Sequence, residues 1–100
     1  MEMHLRSANE IMEILNKNMN YMRKEFSVRK IGVFGSYVKD SANSNSDIDI
    51  LVEFKEKTFD NYMDLKFFLE DLFGKKVDLV ISDTIKKRIR PLILREAQYV

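Results

Sequence analysis

The chain has 100 residues, of which 45% are hydrophobic and 33% are charged, and its formal net charge is +1. This composition is typical of a folded globular protein, and the balanced charge excludes capture of nucleic acid or membrane by overall charge alone. Cysteine is absent, which excludes disulfides and thiolate metal sites. Because neither a signal peptide nor an apolar run of about 20 residues is present, we expect a cytoplasmic protein with one domain, residues 1–100.

The apolar spacing predicts a helix near the N-terminus. Ser7 and Glu10 have the spacing of a capping box, and apolar residues then recur at helical intervals as far as Met22. We therefore expect one continuous helix from about Ser7 to Lys24. Its methionines are expected to fill the core rather than to form a partner surface.

The rest of the chain alternates predicted strands and helices. Val28 to Phe34 is rich in β-branched residues, and the polar stretch from Lys39 to Ser46 is typical of a loop. The expected elements that follow are a strand at 47–54, a helix at 60–73 stopped by a glycine, a strand at 77–81 and a last helix at 91–97. This order predicts an α/β fold with a small sheet covered by helices. Periodicity does not give the strand directions.

Two carboxylates begin the second predicted strand. Asp47 and Asp49 are two residues apart, so their side chains share one face with Cα atoms about 6.6 Å apart. Such a pair is favourable when a cation lies between the charges, and an all-oxygen donor set suits Mg²⁺. A loop end with solvated charges is an equally simple interpretation of the pair alone.

A third carboxylate lies in the next strand. Asp78 interrupts an otherwise apolar run, where an unpaired charge would be costly to bury. If this strand lies beside the second one, Asp78 completes a cluster that could ligate a metal and help take a proton from an attacking hydroxyl. The alternative is an aspartate at a strand edge that faces water.

A small-residue turn follows the first strand. Gly35 lets the backbone approach a phosphate closely, and the amides of the turn together with the Ser36 hydroxyl can donate to phosphate oxygens. Lys39 could add a cation, although a solvated loop lysine is the simpler interpretation. A Gly-Ser pair by itself is a weak signal.

Taken together, Gly35-Ser36, Asp47-Ile48-Asp49 and the later Asp78 resemble the signature of the DNA polymerase beta-like nucleotidyltransferase superfamily. The chain is most similar to its minimal nucleotidyltransferases, including the closing segment 94–97. The resemblance implies the polymerase beta-like nucleotidyltransferase fold, a small mixed sheet flanked by helices.

The resemblance also implies roles for residues and partners. Gly35, Ser36 and Lys39 would bind the triphosphate of ATP, and Asp47, Asp49 and Asp78 would be the catalytic residues that ligate two Mg²⁺ ions. Members of the family transfer AMP from ATP to a hydroxyl. Minimal members often act as antitoxins, in some pairs by adenylylating a tyrosine of a HEPN-type toxin. We expect this activity here, with no membrane partner and with a protein rather than nucleic acid as the expected direct substrate, and homo-oligomerisation is left open.

The sequence departs from the family pattern after the Gly-Ser turn. The family usually has Arg-Gly where this chain has Lys39-Asp40. Lysine keeps the charge but loses the bidentate fork of arginine, and Asp40 adds a negative charge. We expect the departure to affect triphosphate affinity more than the fold.

Two other functions fit the same residues. The first is a non-catalytic antitoxin that neutralises its toxin by binding, which the altered turn favours. The second is nucleic-acid binding through a basic cluster near the C-terminus, for which a solvated helix end or an acidic partner is the simpler explanation. The cluster consists of Lys86, Lys87, Arg88 and Arg90.

Overall fold

The computed structural model describes residues 7–39 and 46–100. Along the chain the elements are α1 (Ala8–Lys17), α2 (Met19–Phe26), β1 (Val28–Phe34), β2 (Ile48–Phe54), α3 (Phe59–Phe73), β3 (Val77–Ile81), α4 (Arg90–Glu96) and β4 (Gln98–Tyr99). Short 3-10 turns follow β1 at Gly35–Tyr37 and β3 at Ser82–Thr84. The predicted α/β class is confirmed, and most boundaries match the predicted ones or lie within one residue of them.

The four strands form one mixed sheet in the order β3-β2-β1-β4. β1 pairs antiparallel with β2 and with β4, whereas β2 and β3 run parallel. The parallel pair is connected through α3, because parallel neighbours need a crossover rather than a hairpin. As a result, β2 and β3 begin at the same edge of the sheet, where β1 ends.

One face of the sheet carries the main core. Ile48, Ile50 and Val52 alternate along β2 and are fully buried, as the predicted period of two requires. The helices α1, α2 and α3 supply apolar residues to the same cluster, among them Ile11, Leu15, Met22, Leu65 and Leu69. The buried methionines of the two N-terminal helices belong to this core, as expected.

The N-terminal segment is two helices rather than one. The capping box of Ser7 and Glu10 is formed as predicted. At Asn18, however, the backbone leaves helical geometry (φ −102°, ψ 4°), and the side-chain amide donates to the carbonyl of Ile14 at 2.8 Å. The prediction of one continuous helix was wrong because this side chain competes with the backbone ladder, an effect that apolar spacing does not reveal.

The C-terminal strand was not predicted. Tyr99 and Gln98 pair with Gly32 and Val33 of β1, and the Val100 amide donates to the carbonyl of Ile31 at 3.0 Å. A Cβ on Gly32 would lie 2.5 Å from the Gln98 carbonyl oxygen, so this close approach requires glycine. A two-residue strand is too short for its own periodic signal.

Within the described residues, no helix is long and apolar enough to cross a membrane.

Candidate active site

Two of the three predicted carboxylates are neighbours across the parallel strands. Asp49 of β2 is the register partner of Asp78 of β3, and their side chains are hydrogen-bonded. The conditional prediction that the third strand lies beside the second is therefore confirmed. Asp78 is also exposed on the edge strand, as the alternative interpretation expected, and its role as a metal ligand stays a prediction.

The environment of Asp49 disfavours its charged form. Burial, followed by the negative charges of Asp78 and Asp47, raises the pKa of Asp49 from 3.8 to about 6. The backbone N–H of Ser36 donates to this carboxylate and acts in the opposite direction. Asp47 precedes β2 and is exposed, but its charge still acts on Asp49. The cluster is thus an electronegative site whose charge is incompletely balanced.

The turn after β1 is built against Asp49. Gly35 has a left-handed backbone (φ +76°), and a Cβ on this residue would overlap the Oδ2 atom of Asp49. Only glycine combines this conformation with this contact. The turn then brings the Ser36 amide to the carboxylate, and the amides of Val38 and Lys39 donate to the Gly35 carbonyl. Gly35 and Ser36 therefore lie directly beside the aspartates.

The side chains of Tyr37 and Lys39 contact other parts of the fold. The Lys39 ammonium forms an ion pair with Glu96 of α4, with Nζ and Oε1 3.2 Å apart. Tyr37 is only 5% exposed and belongs to the core cluster, so its side chain packs in the interior. Residues 40–45, including the Asp40 that departs from the family pattern, lie outside the described residues.

The donor set suits a hard divalent cation. Asp47, Asp49 and Asp78 offer only carboxylate oxygens, and the raised pKa of Asp49 shows that added positive charge would be favourable there. Among residues 7–39 and 46–100, however, no three His, Cys, Asp or Glu side chains converge as a ready-made metal cage. The residue types fit Mg²⁺, whereas a converged three-ligand geometry is not present.

A cavity of about 380 Å³ lies elsewhere on the molecule. It is lined by Arg23, Ser27, Val28, Arg29 and Lys55, where β1 begins and β2 ends. The aspartates lie near the opposite ends of these strands. The cavity contains none of the predicted site residues, so the carboxylate cluster, and not the cavity, defines the candidate active site.

Sequence reasoning missed the part played by Glu96. This residue connects the C-terminal helix to the turn through Lys39, across 57 positions of the chain. No local pattern predicts such a contact, because it depends on the packing of β4 beside β1. The only available signal was the similarity of segment 94–97 to minimal nucleotidyltransferases.

Comparison with known proteins places this geometry in a family. Residues 15–100 match the family model of the nucleotidyltransferase domain. The protein adenylyltransferase MntA of Thermococcus cleftensis is 42% identical over 99 residues, which cover 98% of this chain and 100% of that protein. A solved structure described as a candidate minimal nucleotidyltransferase is 33% identical, with a TM-score of 0.71, over 87% of this chain and 93% of its own.

More distant structures share the fold. One is a toxin–antitoxin complex with AMP-PNP (TM-score 0.67, 23% identity, 94% of this chain and 72% of the other). Another is the tri-AMPylated HEPN toxin of Shewanella oneidensis in complex with its MNT antitoxin (TM-score 0.61, 20% identity, 89% and 70%). With most of its length matched by the family model, and with the resemblance noted in its motifs confirmed, this chain belongs to the nucleotidyltransferase domain family.

Proposed function

We propose that this protein transfers AMP from Mg-ATP to a hydroxyl, most simply a tyrosine, of a partner HEPN-type toxin, and thereby acts as a cytoplasmic antitoxin. The observation that carries the proposal is the contact of the Gly35-Ser36 turn with Asp49, which is itself paired with Asp78. A relative 42% identical over nearly the whole chain is named a protein adenylyltransferase, and a structurally similar antitoxin binds an AMPylated toxin. Both support this substrate class.

The nucleotide would lie between the turn and the aspartates. The Ser36 hydroxyl would donate to phosphate oxygens, since the Ser36 amide donates to Asp49 and the amides of Val38 and Lys39 donate to the Gly35 carbonyl. Asp47 and Asp49 would ligate two Mg²⁺ ions, and Asp78 would ligate the one near the acceptor. When bound, these ions supply positive charge that stabilises the developing negative charge and the pyrophosphate leaving group.

The chain's own residues orient the reaction and accept a proton. The acceptor oxygen attacks the α-phosphorus in line, a new P–O bond forms, and the bond to the bridging oxygen of pyrophosphate breaks. Asp78, the exposed member of the hydrogen-bonded pair, would receive the proton of the acceptor hydroxyl. Asp49 would be held in place by the Ser36 amide, so little reorganisation is needed.

The decisive experiment is transfer of label from α-labelled ATP to a purified HEPN-type toxin. Asp49→Asn should abolish labelling, since it removes a metal ligand with little change in shape. Asp64→Asn, a matched change at an exposed position of α3, should label at the wild-type rate. Mass spectrometry should find the added AMP on a tyrosine. Normal labelling by Asp49→Asn would refute the proposal.

A second function is favoured by the ion pair of Lys39 with Glu96. This pair turns the one cation of the predicted triphosphate site toward α4, as expected of an antitoxin that only masks its toxin. Calorimetry with Mg-ATP separates the two functions. A masking protein would bind the toxin without binding nucleotide, whereas the proposed enzyme binds both.

A further inference from the structure

The C-terminal helix α4 has no buried residue. Leu92 is 56% exposed and Ile89, at its N-terminal end, is 46% exposed. A helix of seven residues is not stable by itself in water, and most helices are held by burying an apolar face. In α4, Leu92 and Leu94 are exposed and Ile93 is half-buried, so this element lacks much of the packing that normally stabilises a helix.

The contacts that hold α4 in place are polar. The Arg90 guanidinium donates to the carbonyls of Asp83 and Ile85 at 3.2 and 2.9 Å, and Glu96 pairs with Lys39. The helix has no side-chain cap at its N-terminus. These contacts fix the position of α4 but leave its outer face uncovered.

The uncovered face is strongly basic. Residues 86–95 contain five cations and no acidic residue, namely Lys86, Lys87, Arg88, Arg90 and Arg95. Leu92 and Arg95 lie on α4, whereas Arg88 and Ile89 lie in the turn just before it, and all four side chains are exposed. We call Arg88, Ile89, Leu92 and Arg95 the α4 surface. A second copy of this chain would bring like charges together at this surface, whereas an acidic partner would neutralise them.

The α4 surface is continuous with the candidate active site. Glu96 at the end of α4 contacts Lys39, which follows directly on the turn beside the aspartates. The strand after α4 pairs with Val33, two residues before Gly35. A protein docked on α4 would therefore lie next to the point where AMP is transferred.

We propose that the α4 surface docks the acceptor protein through an acidic face with an apolar centre. This inference rests on the proposed function and adds the location of the partner. Leu92 and Ile89 supply the apolar contact, Arg88 and Arg95 supply the charge pairing, and the docked protein completes the packing that α4 lacks. The ion pair between Glu96 of α4 and Lys39 places the docked protein beside the turn, so docking can present the acceptor hydroxyl to the aspartates.

The test is the affinity for the same purified HEPN-type toxin, measured by calorimetry at low and high salt. Ile89→Ser combined with Leu92→Ser should weaken binding about tenfold or more, because exposed apolar residues at the centre of an interface carry much of the affinity. Arg88→Glu combined with Arg95→Glu should also weaken binding and should reduce its dependence on salt. Phe67→Ser and Lys24→Glu, at exposed positions of α3 and α2, are the matched controls and should bind as the wild type does.

The outcomes separate docking from catalysis. If the serine variant loses its thermal unfolding transition, the charge-reversal variant decides, since its substitutions are on the surface. Wild-type affinity in both α4 variants, or equal weakening in the controls, would overturn the inference. So would a wild-type dimer that Leu92→Ser dissociates without affecting partner binding. Partner binding that depends on α4 without AMP transfer would support docking and refute the transfer reaction.

Discussion

At the scale of single residues, the active site depends on the absence of one side chain. Gly35 allows both a left-handed turn and the approach of Asp49, and these two requirements can be separated experimentally. Gly74 at the end of α3 has nearly the same backbone (φ +64°), but nothing lies within 4 Å of a Cβ placed there. The two glycines therefore form a natural control pair.

Gly35→Ala should destabilise the protein more than Gly74→Ala. Adding a Cβ in the left-handed region costs about 1–2 kcal/mol at either position. The overlap with Asp49 should add about 1–3 kcal/mol at Gly35 and should abolish AMP transfer. Urea unfolding of both variants measures the difference. Equal free energies of unfolding would mean that the turn and the aspartate are not packed as described.

Sequence patterns located the site residues better than they described each residue's surroundings. The aspartates and the Gly-Ser turn were recognisable because their spacing is local and their chemistry is restricted. The contact of Lys39 with Glu96 and the burial of Tyr37 were not, since both depend on segments far away in the chain. The metal and triphosphate roles of these residues stay predictions.

At the scale of elements, the sheet was predicted best where strands are long and apolar. The bounds of β1 and β3 were predicted correctly, and those of β2 and α3 to within one residue. The break at Asn18 and the two-residue β4 were missed because a side-chain hydrogen bond and a pairing partner, rather than periodicity, produce them. β4 nevertheless matters, because it anchors α4 beside the turn.

Gly32→Ala should separate β4 from β1 and leave the pairing of the other strands intact. A Cβ 2.5 Å from the Gln98 carbonyl would push β4 away from β1, and the Val100 amide would lose its bond to the Ile31 carbonyl. Hydrogen exchange of residues 98–100 should become about tenfold faster or more. Amides between β2 and β3 should keep their protection and serve as the internal control. Unchanged exchange at Val100 would contradict this account.

At the scale of the whole molecule, the negative charge of Asp49 should lower the free energy of unfolding near neutral pH. The pKa of Asp49 is raised to about 6 in the folded state, so between about pH 4 and pH 6 the native protein binds more protons than the unfolded chain. This contribution to stability is present at low pH and is lost as pH rises through 6. Because Asp49 is partly exposed, we expect a loss on the order of 1 kcal/mol.

Mg²⁺ should reverse this loss in the wild type only. Thermal unfolding at about pH 4 and pH 7, with Mg²⁺ and with chelator, measures the effect against Asp49→Asn, which lacks the titrating group. Relative to this variant, the wild type should lose stability with rising pH in chelator and regain it with Mg²⁺. A pH dependence shared by both proteins would show that Asp49 is not its source.

The amino-acid sequence by itself determined the α/β class, the order of most elements and the family, because apolar period, turn residues and carboxylate spacing are properties of neighbouring residues. Only the tertiary structure decided that β3 lies parallel to β2, which brings Asp78 to Asp49, and that β4 holds α4 beside the active-site turn. The physical reason is that strand order and direction depend on how distant segments bury their apolar faces together, which no local pattern encodes.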